Sequence, residues 1–264
     1  MNSLNEITFP IQDALDRFET YFGQKLVSQV LPMDAIMSYL LETKGKRMRP
    51  MLVFLCAKLL GEINEKTYRA ATFVEMIHTA TLIHDDVVDD SDERRGRLSV
   101  KARWNNVAAV LSGDYMMAKA MLMVSGASDS DVLREVMLAA EAMSEGELLQ
   151  NSMKDRSMQE SEYLDVITRK TAMLMRSCCA VGALSVQASE EQVRHLAEFG
   201  LHFGLVFQMR DDILDADHPQ NTVFAQTLLP VYREKALECL DAFPPSDILD
   251  ALRSLTVFCA ERTV

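Results

Sequence analysis

Residues 70–90 read AATFVEMIHTATLIHDDVVDD, a long apolar run that ends in a cluster of aspartates. Before the aspartates the run is apolar on most faces of a helix, and such a helix must be covered by other helices. Asp85 and Asp89 are four residues apart and share one helical face, with Asp86 and Asp90 as a second pair beside them. The stretch therefore predicts a buried central helix that ends in several carboxylates.

The acidic pattern occurs a second time, where residues 207–215 read FQMRDDILD. Crowded carboxylates repel one another, and oxygen-only ligands suit Mg²⁺ or Ca²⁺. A solvated acidic helix end explains either motif alone, but two copies at the ends of apolar helices are improbable as surface charge. If the two helices face each other, their carboxylates form a cage that could hold several magnesium ions, with a diphosphate between the helices.

Helical periodicity extends over nearly the whole chain of 264 residues, and only 10 glycines and 7 prolines interrupt it. No alternating run is long enough to predict a strand, and no linker divides the chain. We predict one all-α domain over residues 1–264, a single helical bundle with a central cavity. The predicted helices are 4–28, 33–43, 47–60, 65–91, 98–125, 129–153, 160–188, 189–217, 220–242 and 245–262.

The net charge of −12 argues against nucleic acid as a partner, because no extended basic patch offsets it. The five cysteines contain no Cys-x-x-Cys pair, which favours reduced thiols over a disulfide framework or a zinc site. The N-terminus shows no signal peptide, and no apolar stretch is long enough to span a membrane. We therefore expect a cytoplasmic protein.

Basic residues accompany the acidic motifs. Residues 45–50 read GKRMRP and residues 94–96 read RRG, and arginine is suited to phosphate recognition. Taken alone, Arg94 and Arg95 are better explained by a surface salt-bridge loop. Lys170 is explained equally well by a position on a helix surface, and a lone histidine such as His78 is more often a satisfied core residue than a ligand. Beside metal-binding acids, they instead suggest a site for a metal–diphosphate complex.

Together these segments resemble the trans-type (all-E) polyprenyl diphosphate synthases, an all-α family with the isoprenoid-synthase fold. The resemblance covers about residues 31–215 and reappears near 232–262. Its motifs occur in the family's order and approximate spacing, and the ordered set is specific where each motif alone is not. They are GKRMRP at 45–50, HDDVVD at 84–89, RRG at 94–96, GELLQ at 146–150, Lys170-Thr171 and FQMRDDILD at 207–215.

The resemblance implies a role for each matching residue. Asp85, Asp89 and Asp211 would coordinate magnesium that bridges to an allylic diphosphate, with Asp86, Asp212 and Asp215 in support. Arg94, Lys170 and Gln208 would hold the allylic diphosphate, and Thr171 would line the reaction centre. The diphosphate of isopentenyl diphosphate would bind to Lys46, Arg49, His78 and Arg95. The implied catalytic set is Asp85, Asp89, Lys170, Thr171 and Asp211.

The resemblance also implies the reaction and the partners. Three Mg²⁺ ions with bound diphosphate would favour ionisation of an allylic substrate of the farnesyl or geranyl type. Isopentenyl diphosphate would then attack the cation in a cavity that excludes water. A homodimer is expected, with transient membrane contact when a long product leaves.

Product length is predicted from the helix that precedes the first motif, where each turn adds about 5.4 Å. Thr81 and Ala80 lie about one turn before Asp85, and Ile77 lies about two turns before it. Short-chain members of the family block the tunnel at this point with aromatic side chains, whereas Ala80 and Thr81 are small. We therefore expect an all-trans product longer than C20, a precursor of a quinone side chain.

The chain departs from the family after Asp215, where a covering loop with glycines and a lysine is expected. Here residues 216–221 read ADHPQN and lead at once into a segment that resembles the family's penultimate helix. Either the chain is shortened by several tens of residues, or a mobile lid is left out of the sequence. The second explanation is favoured because both flanks keep the family pattern.

Three other functions compete with the synthase. A non-catalytic subunit of a prenyl synthase usually loses acidic residues, whereas both motifs are intact here. A terpene cyclase of the same fold would not need the site formed by Lys46 and Arg49. An acidic bundle that only binds metal would leave the arginines without a role.

Overall fold

The computed structural model describes residues 3–42, 45–153, 156–216 and 218–263. The predicted all-α bundle is confirmed. In these ranges the helices are α1 Leu4–Thr8, α2 Gln12–Lys25, α3 Leu31–Glu42, α4 Met48–Leu60, α5 Glu65–Val88, α6 Val100–Arg103, α7 Asn106–Met123, α8 Ser130–Ser152, α9 Glu160–Ile167, α10 Met173–Ser185, α11 Glu190–Asp215, α12 Pro219–Cys239 and α13 Asp247–Glu261. Short 3₁₀ turns occur at Phe9–Ile11, Ala127–Asp129 and Leu240–Ala242, and one π-helical segment spans Thr168–Ala172.

The centre of the bundle is α5, as the sequence predicts. It packs against α4, α7 and α10, and α10 packs in turn against α11. Phe73, Val74 and Ile77 are fully buried on α5, and burying a large apolar side chain contributes about 1.5–3 kcal/mol. Asn64 caps the helix start by accepting from the amides of Lys66 and Thr67. The core therefore fixes the direction in which the aspartates at the end of α5 point.

One short hairpin that the sequence did not predict accompanies the helices. Glu93–Arg94 (β1) and Arg97–Leu98 (β2) form a two-stranded antiparallel hairpin directly after α5. Its turn residues Arg95 and Gly96 both have positive φ, 55° and 72°, which suits a tight hairpin turn. Strands of two residues carry no periodicity, so only the Arg-Gly turn marked this hairpin in the sequence.

Several predicted helices are interrupted. The segment predicted at 98–125 divides into α6 and α7, because Asn105 starts a new helix by accepting from the amide of Ala108. The segment predicted at 4–28 divides at Phe9–Ile11, next to Pro10, and that predicted at 160–188 contains the π segment. The predicted ends at residues 43 and 217 lie outside the described residues.

A second, smaller core joins α9, α11 and α12. Tyr163, Leu205, Met209 and Ala225 are buried in it. The helix α11 ends at Asp215, Ala216 turns in the left-handed conformation with φ 51°, and α12 begins at Pro219. The wall that carries the second acidic motif is therefore supported from behind by α12. None of the helices in the described part of the chain is long and apolar enough to cross a bilayer.

Candidate functional site

One aspartate from each acidic motif lines a shared cavity. It measures about 610 Å³ and lies between α5, α8, the π segment and α11. Asp85 lines it from α5 and Asp211 from α11. Most of the predicted phosphate-binding residues share its wall, and these are Arg49, His78, Arg94, Arg95, Lys170 and Gln208. Thr171, predicted to line the reaction centre, lies on the same wall. The central cavity predicted from sequence is confirmed, and the structure brings these residues together.

Asp85 sits in an electrostatically unusual position. Burial raises its pKa to about 6, and the carboxylate of Glu147 acts in the same direction, while Lys170 opposes both. Lys170 Nζ pairs with Glu147 Oε2 at 2.5 Å and donates to Gln150 Oε1 at 3.0 Å. Lys170 is therefore held between α8 and the cavity. Glu147 and Gln150 were not predicted as site residues, although the GELLQ motif that contains them was noted.

The other aspartates of the first motif have different surroundings. Asp86 is buried and accepts from Arg94 Nε at 2.6 Å, so this carboxylate fixes the hairpin that follows α5. Asp86 also lines a separate cavity of about 70 Å³ with Ile83 and Leu98. Asp89 caps the C-terminus of α5, where its side chain is exposed. Metal ligation by Asp86 and Asp89, and diphosphate binding by Arg94, stay predictions.

The second acidic motif is held by neighbouring side chains. Asp211 accepts from Arg262, which follows α13. Asp212 accepts from the Tyr163 hydroxyl at 2.5 Å and from Gln208 Nε2 at 2.9 Å. Burial raises the pKa values of Asp211 and Asp212, and these partners partly offset the rise.

Asp215 is exposed at the end of α11. Neither Tyr163 nor Arg262 was predicted as a site residue, because each reaches its aspartate from a distant part of the chain. Their only sequence signal is their residue type. Metal ligation by Asp211, Asp212 and Asp215 stays a prediction.

A π-helical segment presents Lys170 and Thr171. π-bulges frequently occur at functional sites, because the extra residue turns side chains out of the helical register. Thr171 donates to Gln208 Oε1 at 2.7 Å, which links the segment to α11. The segment packs closely on two glycines. A Cβ on Gly146 would lie 2.9 Å from Lys170 N, and one on Gly204 would lie 2.6 Å from Ala172 Cα.

A basic pocket of about 380 Å³ adjoins the acidic cavity. Its lining includes the predicted residues Lys46, Arg49, His78 and Arg95, and also Arg262. Arg49 Nη1 donates to His78 Nε2 at 2.8 Å. Burial and the adjacent guanidinium hold the pKa of His78 well below 6.5, so the imidazole is neutral and accepts this bond. The pocket thus brings together the cations Lys46, Arg49 and Arg95, which the sequence analysis assigned to a second diphosphate. Anion binding there stays a prediction.

Arg47, between the predicted ligands Lys46 and Arg49, has a different position. It starts α4 with φ 51° and pairs with Glu19 and Glu75 at 2.7 Å each. Its guanidinium also lies 4.9 Å from the ring centroid of Phe22. Arg47 therefore ties α2, α4 and α5 together at the edge of the basic pocket.

The three predicted chain-length residues occupy two environments. Ile77 and Ala80 are fully buried in the core of α5. Thr81 lines the acidic cavity, and its hydroxyl donates to the carbonyl of His78 at 2.9 Å. Their effect on product length stays a prediction.

The donor set fits a metal ion that is shared with a phosphate ligand. Asp85 and Asp211 offer carboxylate oxygens from two different helices, beside cations that suit a diphosphate. Within the ranges that the structure describes, no three His, Cys, Asp or Glu side chains converge on one point. Mg²⁺ commonly binds through one or two carboxylates, water and substrate phosphates. The residues therefore suit Mg²⁺ bound together with a diphosphate better than a site built from protein alone.

Comparisons with known proteins agree with this geometry. The polyprenyl synthetase family model matches residues 31–224. The chain is 38% identical to an octaprenyl diphosphate synthase of Haemophilus influenzae, over 81% of this chain and 65% of that protein. It is 36% identical to heptaprenyl diphosphate synthase component 2 of Geobacillus stearothermophilus, over 78% of this chain and 64% of that protein. The chain thus spans less than two thirds of the length of these relatives.

A solved structure matches nearly the whole fold. The polyprenyl synthase of Caulobacter crescentus CB15, crystallised with calcium and isoprenyl diphosphate, superposes with a TM-score of 0.91 at 25% identity. The match covers 99% of this chain and 98% of that one. With the family model matching most of the chain, and with one aspartate of each acidic motif on one cavity, this chain belongs to the polyprenyl synthetase family.

Proposed function

We propose that this protein is a magnesium-dependent trans-polyprenyl diphosphate synthase, a transferase that adds isopentenyl diphosphate to an allylic diphosphate and releases pyrophosphate. The observation that carries the proposal is the placement of Asp85 on α5 and Asp211 on α11, both lining one cavity that adjoins a basic pocket. One substrate diphosphate would bind beside the carboxylates and the other among the cations. The relatives' names and the calcium and isoprenyl diphosphate in the solved neighbour support this assignment.

The chain's residues have distinct roles in this proposal. Lys170, held by Glu147 and Gln150, would bind the allylic diphosphate together with Arg94 and Gln208. Asp85, Asp89 and Asp211, supported by Asp86, Asp212 and Asp215, would hold magnesium, which we propose binds as three ions. The metal would neutralise the charge of the leaving diphosphate.

The same residues orient the second substrate. Lys46, Arg49, Arg95 and the neutral His78 would bind the diphosphate of isopentenyl diphosphate, so that its double bond faces the reaction centre at Thr171. The Thr171 hydroxyl donates to Gln208 and would present its oxygen lone pairs toward the developing carbocation. The proton lost in the last step would leave with the released pyrophosphate, and the apolar wall would keep water from the cation.

The product is proposed to be longer than C20, a quinone side-chain precursor. Support comes from the small side chains Ala80 and Thr81 before Asp85 and from the octaprenyl and heptaprenyl names of the relatives. The primer would be an allylic diphosphate of the farnesyl or geranyl type.

The test is an elongation assay with radiolabelled isopentenyl diphosphate, farnesyl or geranyl diphosphate and Mg²⁺, followed by chromatography of the dephosphorylated products. We expect elongated chains from the wild-type protein and loss of elongation in Asp85→Asn and Asp211→Asn. Pyrophosphate release without elongation would indicate a cyclase or a hydrolase. No release at all would indicate a non-catalytic subunit.

We also propose a cytoplasmic homodimer. The five unpaired cysteines suit a reducing compartment. On α7, Val107, Val110, Leu111 and Leu122 are exposed, with 41–74% of each residue accessible, and an unpartnered apolar face suits a subunit interface. Light scattering should give twice the chain mass, and a monomeric mass would contradict the dimer. Transient contact with a membrane during product release would appear as vesicle binding only in the presence of product.

A further inference from the structure

Arg262 connects the two anion-binding regions. Its backbone amide bonds to the carbonyl of Phe258 at the end of α13, and its side chain reaches across to α11. There it donates to Asp211 and to the carbonyl of Phe207, and its guanidinium lies 4.6 Å from the centroid of the Phe207 ring. Arg210 Nε donates to the Arg262 carbonyl at 2.7 Å. Both the side chain and the carbonyl of Arg262 are thus bonded to α11.

The same guanidinium also belongs to the basic pocket. Arg262 lines that pocket with Lys46, Arg49 and Arg95, while its partner Asp211 lines the acidic cavity. Only 9% of the Arg262 side chain is exposed. Its Nε and the Nε of Arg49 are buried and have no hydrogen-bond acceptor among the described residues. Buried N–H groups of this kind indicate a missing acceptor, and an anion in the basic pocket would supply it.

Charge determines how the two regions affect each other. Asp211 is neutralised by Arg262 in this structure. A metal–diphosphate complex on Asp211 would compete with the guanidinium for the carboxylate, because cations repel each other. A guanidinium released from Asp211 is available to a second diphosphate in the basic pocket, which Arg262 already lines.

We propose that Arg262 is a positioning residue that couples the two sites: it pairs with Asp211 in the empty enzyme and transfers to the isopentenyl diphosphate when the metal–allylic diphosphate binds. The inference rests on the proposed function, since it assumes those two ligands. Because coupling between sites is reciprocal, each ligand would then strengthen the binding of the other.

The experiment measures the Kd of isopentenyl diphosphate by calorimetry, with and without Mg²⁺ and farnesyl S-thiolodiphosphate, an analogue that resists ionisation. In the wild-type protein we expect binding to tighten by about 5-fold or more when the analogue is present. In Arg262→Gln this ratio should fall to about 1, the value without coupling. In the absence of isopentenyl diphosphate, the same variant should bind Mg²⁺ and the analogue at least as tightly as the wild type, because the competitor for Asp211 is gone.

Controls separate coupling from a loss of folding. Arg253→Gln removes an arginine from α13 that pairs with Asp241 outside both pockets, and it should keep the wild-type ratio. Arg262→Lys keeps a charge at the position and should keep part of the coupling even if the glutamine variant does not fold. An unchanged ratio in either folded Arg262 variant, or weaker binding of the analogue, overturns the inference. If the wild-type protein binds neither ligand, the proposed function fails first, which is a different result.

Discussion

His78 accepts a hydrogen bond from the buried Arg49, with 2.8 Å between Nε2 and Nη1, and is therefore a neutral histidine inside a cluster of cations. The unfolded chain would protonate this histidine near its ordinary pKa of 6.5, whereas the folded protein resists protonation. Below that pH the unfolded state therefore binds more protons at His78 than the folded state does. The free energy of unfolding is for this reason not reduced by His78 above pH 6.5, and it declines as the pH falls through that value.

His78→Gln should for this reason flatten the pH dependence of stability. Glutamine is neutral at every pH and offers Arg49 an acceptor. Thermal midpoints between pH 5 and pH 7.5 provide the measurement, and His195→Gln, at a partly exposed histidine, is the control. Equal slopes in the wild-type protein and the His78 variant would contradict the neutral assignment.

Glu147→Gln tests how Lys170 is held. The change removes the charge that pairs with Lys170 at 2.5 Å but keeps the size of the side chain. Turnover should fall about 10-fold or more, as is typical when a partner behind a metal or phosphate ligand is lost. Glu145 lies on the same helix as Glu147 and forms an exposed ion pair with Arg169. Glu145→Gln should therefore have little effect on turnover. The measurement is the turnover number of each variant from steady-state kinetics at saturating Mg²⁺. Similar losses of turnover in the two variants would rule out the role of Glu147.

Tyr163→Phe removes the hydroxyl that donates to Asp212. A hydrogen bond to a charged group contributes about 1.5–3 kcal/mol, so the free energy of unfolding should fall by that order in urea titrations. Tyr232→Phe lies in the same small core, where its ring packs near His202, and should change stability less. The prediction is wrong if the two variants are equally stable.

Arg47→Met should destabilise the protein through the buried carboxylate of Glu75, which is left without its partner. Breaking a buried pair costs about 3–5 kcal/mol, whereas Arg97→Met, at the more exposed pair with Glu42, should cost only about 0–1 kcal/mol. Urea titrations would give the free energies of unfolding of the two variants for comparison. Recovery of stability in the double variant with Glu75→Gln would show that the stranded charge is the cause.

Ala80→Tyr tests the prediction of product length. An aromatic ring one turn before the first motif should obstruct the growing chain and shorten the main product. Overpacking a fully buried site costs about 1–3 kcal/mol, so Ala120→Tyr, in the buried part of α7, controls for strain alone. Product chromatography gives the answer, and an unchanged product from a folded Ala80 variant would exclude this route.

The parts of the site that lie within one helix were predictable from sequence. The spacing of Asp85 and Asp89, and of Asp211 and Asp215, follows from helical periodicity, and the apolar residues before them predict a buried helix. The GKRMRP segment likewise predicted a basic pocket, because its charges are neighbours in the chain. Within these segments, the structure places Asp85 and Asp211 on the acidic cavity and Lys46 and Arg49 on the basic pocket, whereas Asp89 and Asp215 are exposed at helix ends.

Long-range pairings were beyond the sequence. Arg262 lies 51 positions from Asp211, and Tyr163 lies 49 positions from Asp212. Nothing in the local pattern states that these residues meet, since packing of α9 and α13 on α11 decides it. Thr171 reaches Gln208 from a π segment, which an α-helical periodicity cannot anticipate.

The connection between α11 and α12 has a consequence for engineering. Ala216 turns the chain so that Pro219 starts the next helix at once, and the residues at the turn that the structure describes are exposed. The entropic cost of closing a loop grows only slowly with its length. Extra residues at this point would therefore leave the bundle intact. The turn is a natural graft point, where a loop from a longer relative can be inserted without disturbing the helices on either side.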